Sequence, residues 1–288
     1  MVLASCQSLP PRTLVVIADT LDPGDGGDTT ARQRIRIDDG TITQIESVSD
    51  PAALPQSGAL IDARHGTVRP GFADAVVAQP QLVSARAATA WVAARLANGV
   101  TTLAVLDTEL GPALALRRYV GTARHRGPRI FVSGPLLVAG RAPANVPAGQ
   151  RALFDERSAH LAVHELAEAD VDVLRLSVAS PADTAIACAA VDEARQQDLR
   201  IVAANSLATA LRCGSEPLLR LCPLDVDDSE LACARERPAR SLDNVRALGL
   251  ADATGVLHMG FRADLVVIRE NAAVQTVILD GTVQSSEA

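Results

Sequence analysis

From Val68 onward, short apolar runs alternate with longer stretches of helical spacing. This alternation constrains the fold more than any other feature of the chain, because adjacent parallel strands need a long crossover and a helix is the usual one. The runs at 68–77, 100–106, 129–137, 172–178 and 200–204, with a sixth near 219–226, read as strands. The stretches 82–97, 109–125, 154–169, 181–197 and 207–218 repeat apolar residues at helical spacing and are rich in Ala, Leu and Arg. A final helix over 229–248 stops at Gly249, a residue suited to the position just past a helix end. On either side the pattern is β. Residues 13–18, 34–37 and 41–45 read as strands with a turn at Asp38-Asp39-Gly40, and 255–268 and 275–283 return to strand and hairpin patterning. The glycine- and aspartate-rich stretch 22–28 reads as a solvated turn, since it lacks the ligand spacing of a calcium loop.

Composition narrows the chemistry. All 27 basic residues are arginine. Without a primary amine on any side chain, Schiff bases, a phosphate-loop lysine and a carboxylated lysine are all excluded. A net charge of -7 with well-mixed signs offers no basic stripe for nucleic acid. Aromatic residues at 2% argue against stacking platforms for bases or sugars. No segment approaches a membrane span of ~18 apolar residues.

The five cysteines, Cys6, Cys188, Cys213, Cys222 and Cys233, show no CxxC spacing, and the odd number indicates neither a zinc ribbon nor a paired disulfide set. Most are expected as small core residues. Cys6 differs, because Leu3-Ala4-Ser5-Cys6 resembles a bacterial lipobox and a proline-bearing polar stretch follows it. With an upstream leader the protein would be a cell-envelope or periplasmic lipoprotein, touching the membrane only through a lipid on Cys6; otherwise it would be cytoplasmic. Residues 1–12 are accordingly expected to form a tail or tether.

The joints between these segments resemble the metal-dependent amidohydrolase superfamily, especially its imidazolonepropionase-like and prolidase-like branches. Asp39-Gly40-Thr41-Ile42-Thr43-Gln44-Ile45 matches a "dG-I-x-x-I" element. The stretch from Ile61-Asp62-Ala63 through Pro70-Gly71-Phe72-Ala73-Asp74 matches the family's lead-in to its barrel. Gly99-Val100-Thr101-Thr102, Ser133-Gly134-Pro135 and Gly260-Phe261-Arg262-Ala263-Asp264-Leu265 fall in the family's order. Gly71 and Gly99 are read as places where a strand entry needs backbone angles open only to glycine. The resemblance implies an α/β fold: an incomplete (β/α) TIM-like barrel over 70–249, and a small composite β-sandwich domain from 13–69 plus 250–288. The βα region is short for a ~250-residue barrel, so five or six strands are expected.

The same resemblance implies one or two divalent metals at the barrel mouth, activating water and polarising the scissile carbonyl. The positions that match the first two histidine ligands are Val76 and Ala78, and the position of the bridging lysine is Arg175. Around the fifth strand Ala203-Ala204-Asn205-Ser206 holds no imidazole. Of the five histidines, His65 and His258 fall in the β segments. His160 and His164 lie four apart on one helix near Glu165, and are read as an outer surface face. Asp74 and Asp107 are the best surviving polar candidates, as carboxylates for acid and base roles.

The sequence therefore predicts a pseudoenzyme with no metal and no cofactor, a binding or assembly component. Its expected partner is a second copy of the chain or an amidohydrolase paralogue, since an unclosed parallel sheet leaves edges and faces to cover. The competing expectation is a hydrolase of carbon–nitrogen bonds in a cyclic amide or peptide-like substrate with a rebuilt site, in which case zinc is expected.

Overall fold

A computed structural model describes residues 12–49, 59–77, 85–122, 127–140, 147–204, 212–213, 238–269, 271 and 273–286. The sixth strand expected near 219–226, most of 207–218 and the start of 229–248 lie outside the described residues, as do Cys6, Ala78, Cys222 and Cys233. The chain divides into two compact units, one running to Pro70 and resuming at Val256, the other covering Gly71–Gly255.

The first unit is one seven-stranded sheet. Its strands are β1 (Thr13–Leu21), β2 (Thr30–Asp38), β3 (Thr41–Ser47), β4 (Ala59–Pro70), β12 (Leu265–Arg269), β13 (Val274–Leu279) and β14 (Thr282–Ser286). They lie in the order β14-β13-β12-β4-β1-β2-β3, so the sandwich of two sheets expected from the sequence is instead a single hydrogen-bonded sheet. β1 and β4 run parallel, and the other neighbours are antiparallel. The sheet curls, because a bridge between Thr41 and Arg262 joins the β2–β3 turn to the stretch before β12. Inside the curl Val16, Ile35, Ile37, Ile42, Val68, Leu265 and Ile278 are fully buried. Two Asp-Gly turns meet there: a Cβ on Gly40 would stand 2.9 Å from the Asp280 carbonyl oxygen, and one on Gly281 would stand 2.8 Å from Gly40 Cα. The turn after Leu21 is not wholly solvated, since Asp22 is buried, accepts from the Gly24 N–H and pairs with Arg69 at 3.0 Å.

The second unit contains the expected βα alternation. Its strands are β5 (Phe72–Val77), β6 (Val100–Leu106), β7 (Arg129–Gly134), β8 (Leu136–Ala139), β9 (Gln150–Leu153), β10 (Leu174–Val178) and β11 (Ile201–Ala203). The helices are α1 (Ala85–Ala97), α2 (Leu110–Val120), α3 (Glu156–Glu168), α4 (Thr184–Gln196) and α5 (Pro238–Ala247). β5, β6 and β7 form one parallel sheet; β11, β10, β8 and β9 form another. Every residue of β6 is buried, as expected of a strand covered on both faces.

The run read as one strand over 68–77 is two, ending in one unit at Pro70 and beginning in the other at Phe72. Gly71 between them has no positive φ. It is glycine for want of space, since a Cβ would lie 2.2 Å from Thr101 Oγ1. Gly99, at φ 89, does need left-handed backbone. The run 129–137 is also two strands, broken where Gly134 turns to φ 67 and Pro135 contributes no N–H. β7 pairs with β6 as far as Gly134; beyond the break β8 pairs with β9 and β10. Asp172 ties these pieces together, its Oδ2 accepting from the Val132 N–H at 2.7 Å and from Arg117 at 2.9 Å.

α3 starts on a capping box, with the Asp155 carboxylate accepting from the Ser158 N–H and Ser158 Oγ accepting from the Asp155 N–H. It buries Ala159, Ala162, Val163 and Leu166, and α4 buries Ala187, Ala190, Val191 and Ala194, the same helical spacing on both. These faces form one core with Leu174, Leu176 and Val178 of β10. One expectation fails here: Cys188 and Cys213 are joined as a disulfide, their Cα atoms 4.8 Å apart.

Candidate functional site

The faces of the strands decide which side chains can meet. Leu174 and Leu176 pack toward α3 and α4, so alternation places Val173 and Arg175 on the opposite face of β10. There Val173 packs with Ala75, Ala104, Leu106, Val202 and Leu248. Arg175 thus stands on that same face, opposite α3 and α4, and its side chain is only 12% exposed.

Its partner is Asp107, immediately after β6. Arg175 Nη1 donates to Asp107 Oδ2 at 2.8 Å. Strict alternation would send Asp107 to the face opposite Leu106; its left-handed φ of 51 breaks that alternation and lets the carboxylate reach Arg175. The corner is tight on the backbone side as well. A Cβ on Gly149, which leads into β9 at φ 79, would sit 2.3 Å from the Asp107 carbonyl oxygen. Burial pushes the Asp107 carboxyl up, opposed by the charge of Arg175, and the same burial pushes the guanidinium down, opposed by Asp107. Asp107 Oδ1, Arg175 Nε and the Thr108 hydroxyl are buried with no hydrogen-bond partner among the described residues.

Asp74 is placed differently from the sequence expectation of a mouth residue. It is 2% exposed, its Oδ1 accepts from the Ala75 N–H at 2.7 Å, and its Oδ2 faces Arg95 of α1 at 3.4 Å. Its alternation partner Ala75 lies in the apolar cluster with Val173, so Asp74 is on the helix-covered face and Arg175 on the other. The two aspartates are held by different arginines on different faces. Val76 lies in β5, in register with Val105.

His160 and His164 do share a face of α3, but toward α4 rather than Glu165. His160 Nδ1 is 2.9 Å from Glu193, and His164 lies 4.0 Å from the same carboxylate and 3.5 Å from Glu168. Glu165 is taken by Arg151 at 2.6 Å. Sequence reasoning did not foresee Glu193. An acid on the edge of the buried stripe of α4, next to Ala194, was the available signal.

These donors do not fit a divalent ion. Valine supplies no lone pair, a guanidinium repels a cation, and the Asp107 carboxylate already serves Arg175. Among the described residues no group of three His, Cys, Asp or Glu side chains is arranged to hold a metal. No described helix is long and apolar enough to cross a membrane.

No protein-family model and no curated protein sequence matches the chain. Solved structures do match in fold. A putative prolidase from Bifidobacterium longum is 18% identical with a TM-score of 0.73, over 96% of this chain and 95% of that one. A Xaa-Pro dipeptidase with bound methionine in its active site is 16% identical with a TM-score of 0.70, over 95% and 100%. Molinate hydrolase is 14% identical with a TM-score of 0.72, over 96% of each chain. The chain shares its fold with these three proteins.

Proposed function

We propose that this chain is an amidohydrolase-fold pseudoenzyme without a metal centre, serving as a binding or assembly component. The observation that carries the reading is the buried Arg175–Asp107 ion pair. A permanent cation occupies the position of the family's bridging ligand, and the neighbouring carboxylate is committed to it. Activated water would need a metal there, and the pair leaves neither charge nor lone pairs to bind one. The partner that fits this reading is a second copy of the chain or an amidohydrolase paralogue.

A second reading is a hydrolase of carbon–nitrogen bonds with a rebuilt site. It is favoured by the activities named for the structural neighbours, a Xaa-Pro dipeptidase and molinate hydrolase.

One set of measurements separates the two. Purified protein is loaded with zinc, dialysed and analysed for metal, then assayed against Xaa-Pro dipeptides and N-acyl amino acids. The pseudoenzyme reading expects neither stoichiometric zinc nor turnover. One zinc per chain with turnover lost on chelation, or turnover abolished by Asp107→Asn in a folded variant, overturns it. Sedimentation velocity tests the assembly role. A monomer at all concentrations that forms no complex with a paralogue counts against it.

A further inference from the structure

Cys213 is held on α4 at two points. Its sulfur is joined to Cys188, and its carbonyl oxygen accepts from Arg195 Nη2 at 3.0 Å. Both attachments come from one helix, two turns apart, whose inner face of Ala187, Ala190, Val191 and Ala194 is locked into the core. Cys213 is 8% exposed and belongs to that core, and Cys188 packs against it. The Cα separation of 4.8 Å lies inside the range of roughly 4.4–6.8 Å that a disulfide spans. With Cys213 buried and Cys188 half-buried against the same core, the approach of small thiols to the bridge is restricted, which favours a lasting bridge over a labile one.

Disulfides of this kind are made and kept where the surroundings are oxidising, and are rare in a reducing cytosol. From the bridge we infer that this chain completes its folding in an oxidising compartment, where a dithiol–disulfide exchange protein installs Cys188–Cys213 as a structural clasp between α4 and the chain beyond β11. The chemistry balances within that partner class. One cysteine thiolate attacks the partner's disulfide and expels a partner thiolate, and the second cysteine then resolves the mixed disulfide. The partner gains two electrons and the two protons, leaving as a dithiol.

The test uses the full chain in the cells that naturally make it. Cells are quenched in acid, free thiols are blocked with N-ethylmaleimide under denaturing conditions, and the protein is digested after arginine without reduction. Cleavage at Arg175, Arg195, Arg212 and Arg220 puts the two cysteines on separate peptides, 176–195 and 213–220. The expected result is a linked pair with no maleimide on either; maleimide on both overturns the inference. The structural role is read separately by melting the purified protein with and without dithiothreitol. Loss of a bridge closing a loop of this length is expected to lower the melting temperature by on the order of 5–10 °C. The Cys188→Ser/Cys213→Ser double variant is expected to melt at that lower temperature under both conditions. An unchanged melting temperature in wild-type protein shown to be reduced overturns the clasp. That measurement needs no variant, so it decides even where the double variant does not fold.

Discussion

Replacing Arg175 with methionine keeps the length and apolar stem of the side chain and removes its charge, leaving Asp107 without its counter-ion in a corner where the two side chains are 11% and 12% exposed. Because so little water reaches the pair, the surface discount for ion pairs does not apply, and stranding one buried charge costs about 3 kcal/mol. The pH dependence has a definite sign. Burial already raises the Asp107 carboxyl, and Arg175 is the opposing influence. Arg175→Met therefore raises it further. A carboxyl raised in the folded state contributes stability that is complete below its unfolded value and declines as pH climbs through its folded value. The deficit of Arg175→Met is thus expected to be larger at pH 8 than at pH 5, as measured by urea unfolding. The double variant Asp107→Leu/Arg175→Met removes both charges and two of the three orphaned polar atoms, and is expected within about 1 kcal/mol of wild type. A single variant that loses under 1 kcal/mol with no pH dependence, or a double variant whose loss is the sum of the singles, would refute the reasoning.

Gly71→Ala is expected to destabilise the second unit by about 1–3 kcal/mol in the same assay, because Thr101 is a short, buried, β-branched side chain that cannot swing aside; a loss within error would show that the strand entry has slack. In the first unit, Arg64 holds the Asp62 carboxyl down at about 2, and Arg36, Thr13 and Thr43 hold that of Asp38 lower still. Carboxyls lowered on folding contribute stability that is present above their unfolded values and lost as pH falls through the folded ones, so thermal melts are expected to decline below about pH 4. Asp62 and Arg64 are 47% and 35% exposed, so that pair's share is small and shrinks in salt; a salt-independent acid transition would contradict this. Asp155→Ala removes the α3 capping box and should cost about 1 kcal/mol in chemical denaturation, whereas Asp155→Asn, which still accepts a hydrogen bond, should retain most of it.

Much of the architecture was legible because it rests on local patterning. Helical spacing located α1 to α4 and the described part of α5, and buried apolar runs located β6, β10 and β11. What escaped the sequence depends on contacts between distant segments. β9 is four residues long, too short for periodicity to register, and owes its place to the break at Pro135 that exposes a new edge on β8. The side on which Asp74 lies was unreadable because a strand buried on both faces carries no polar–apolar alternation to orient it. Arg175 could be placed on its strand from sequence, but its pairing with Asp107 depends on a left-handed backbone that Asp-Thr-Glu does not announce. The pairing of Cys188 with Cys213 was equally hidden, since spacing does not fix connectivity.

The two touching Asp-Gly turns have a consequence for how the chain becomes a protein. One is formed by residues 39–40 and the other by 280–281, while β4 must wait for β12 before Val68 finds Val267. β1 to β4 therefore have no complete sheet to join until β12 to β14 have left the ribosome, and the closure of so long a loop delays them further. The inserted unit, with all of its chain available before Leu265–Ser286 is made, is the part positioned to fold first, and the seven-stranded sheet is sealed only after those last three strands have joined it.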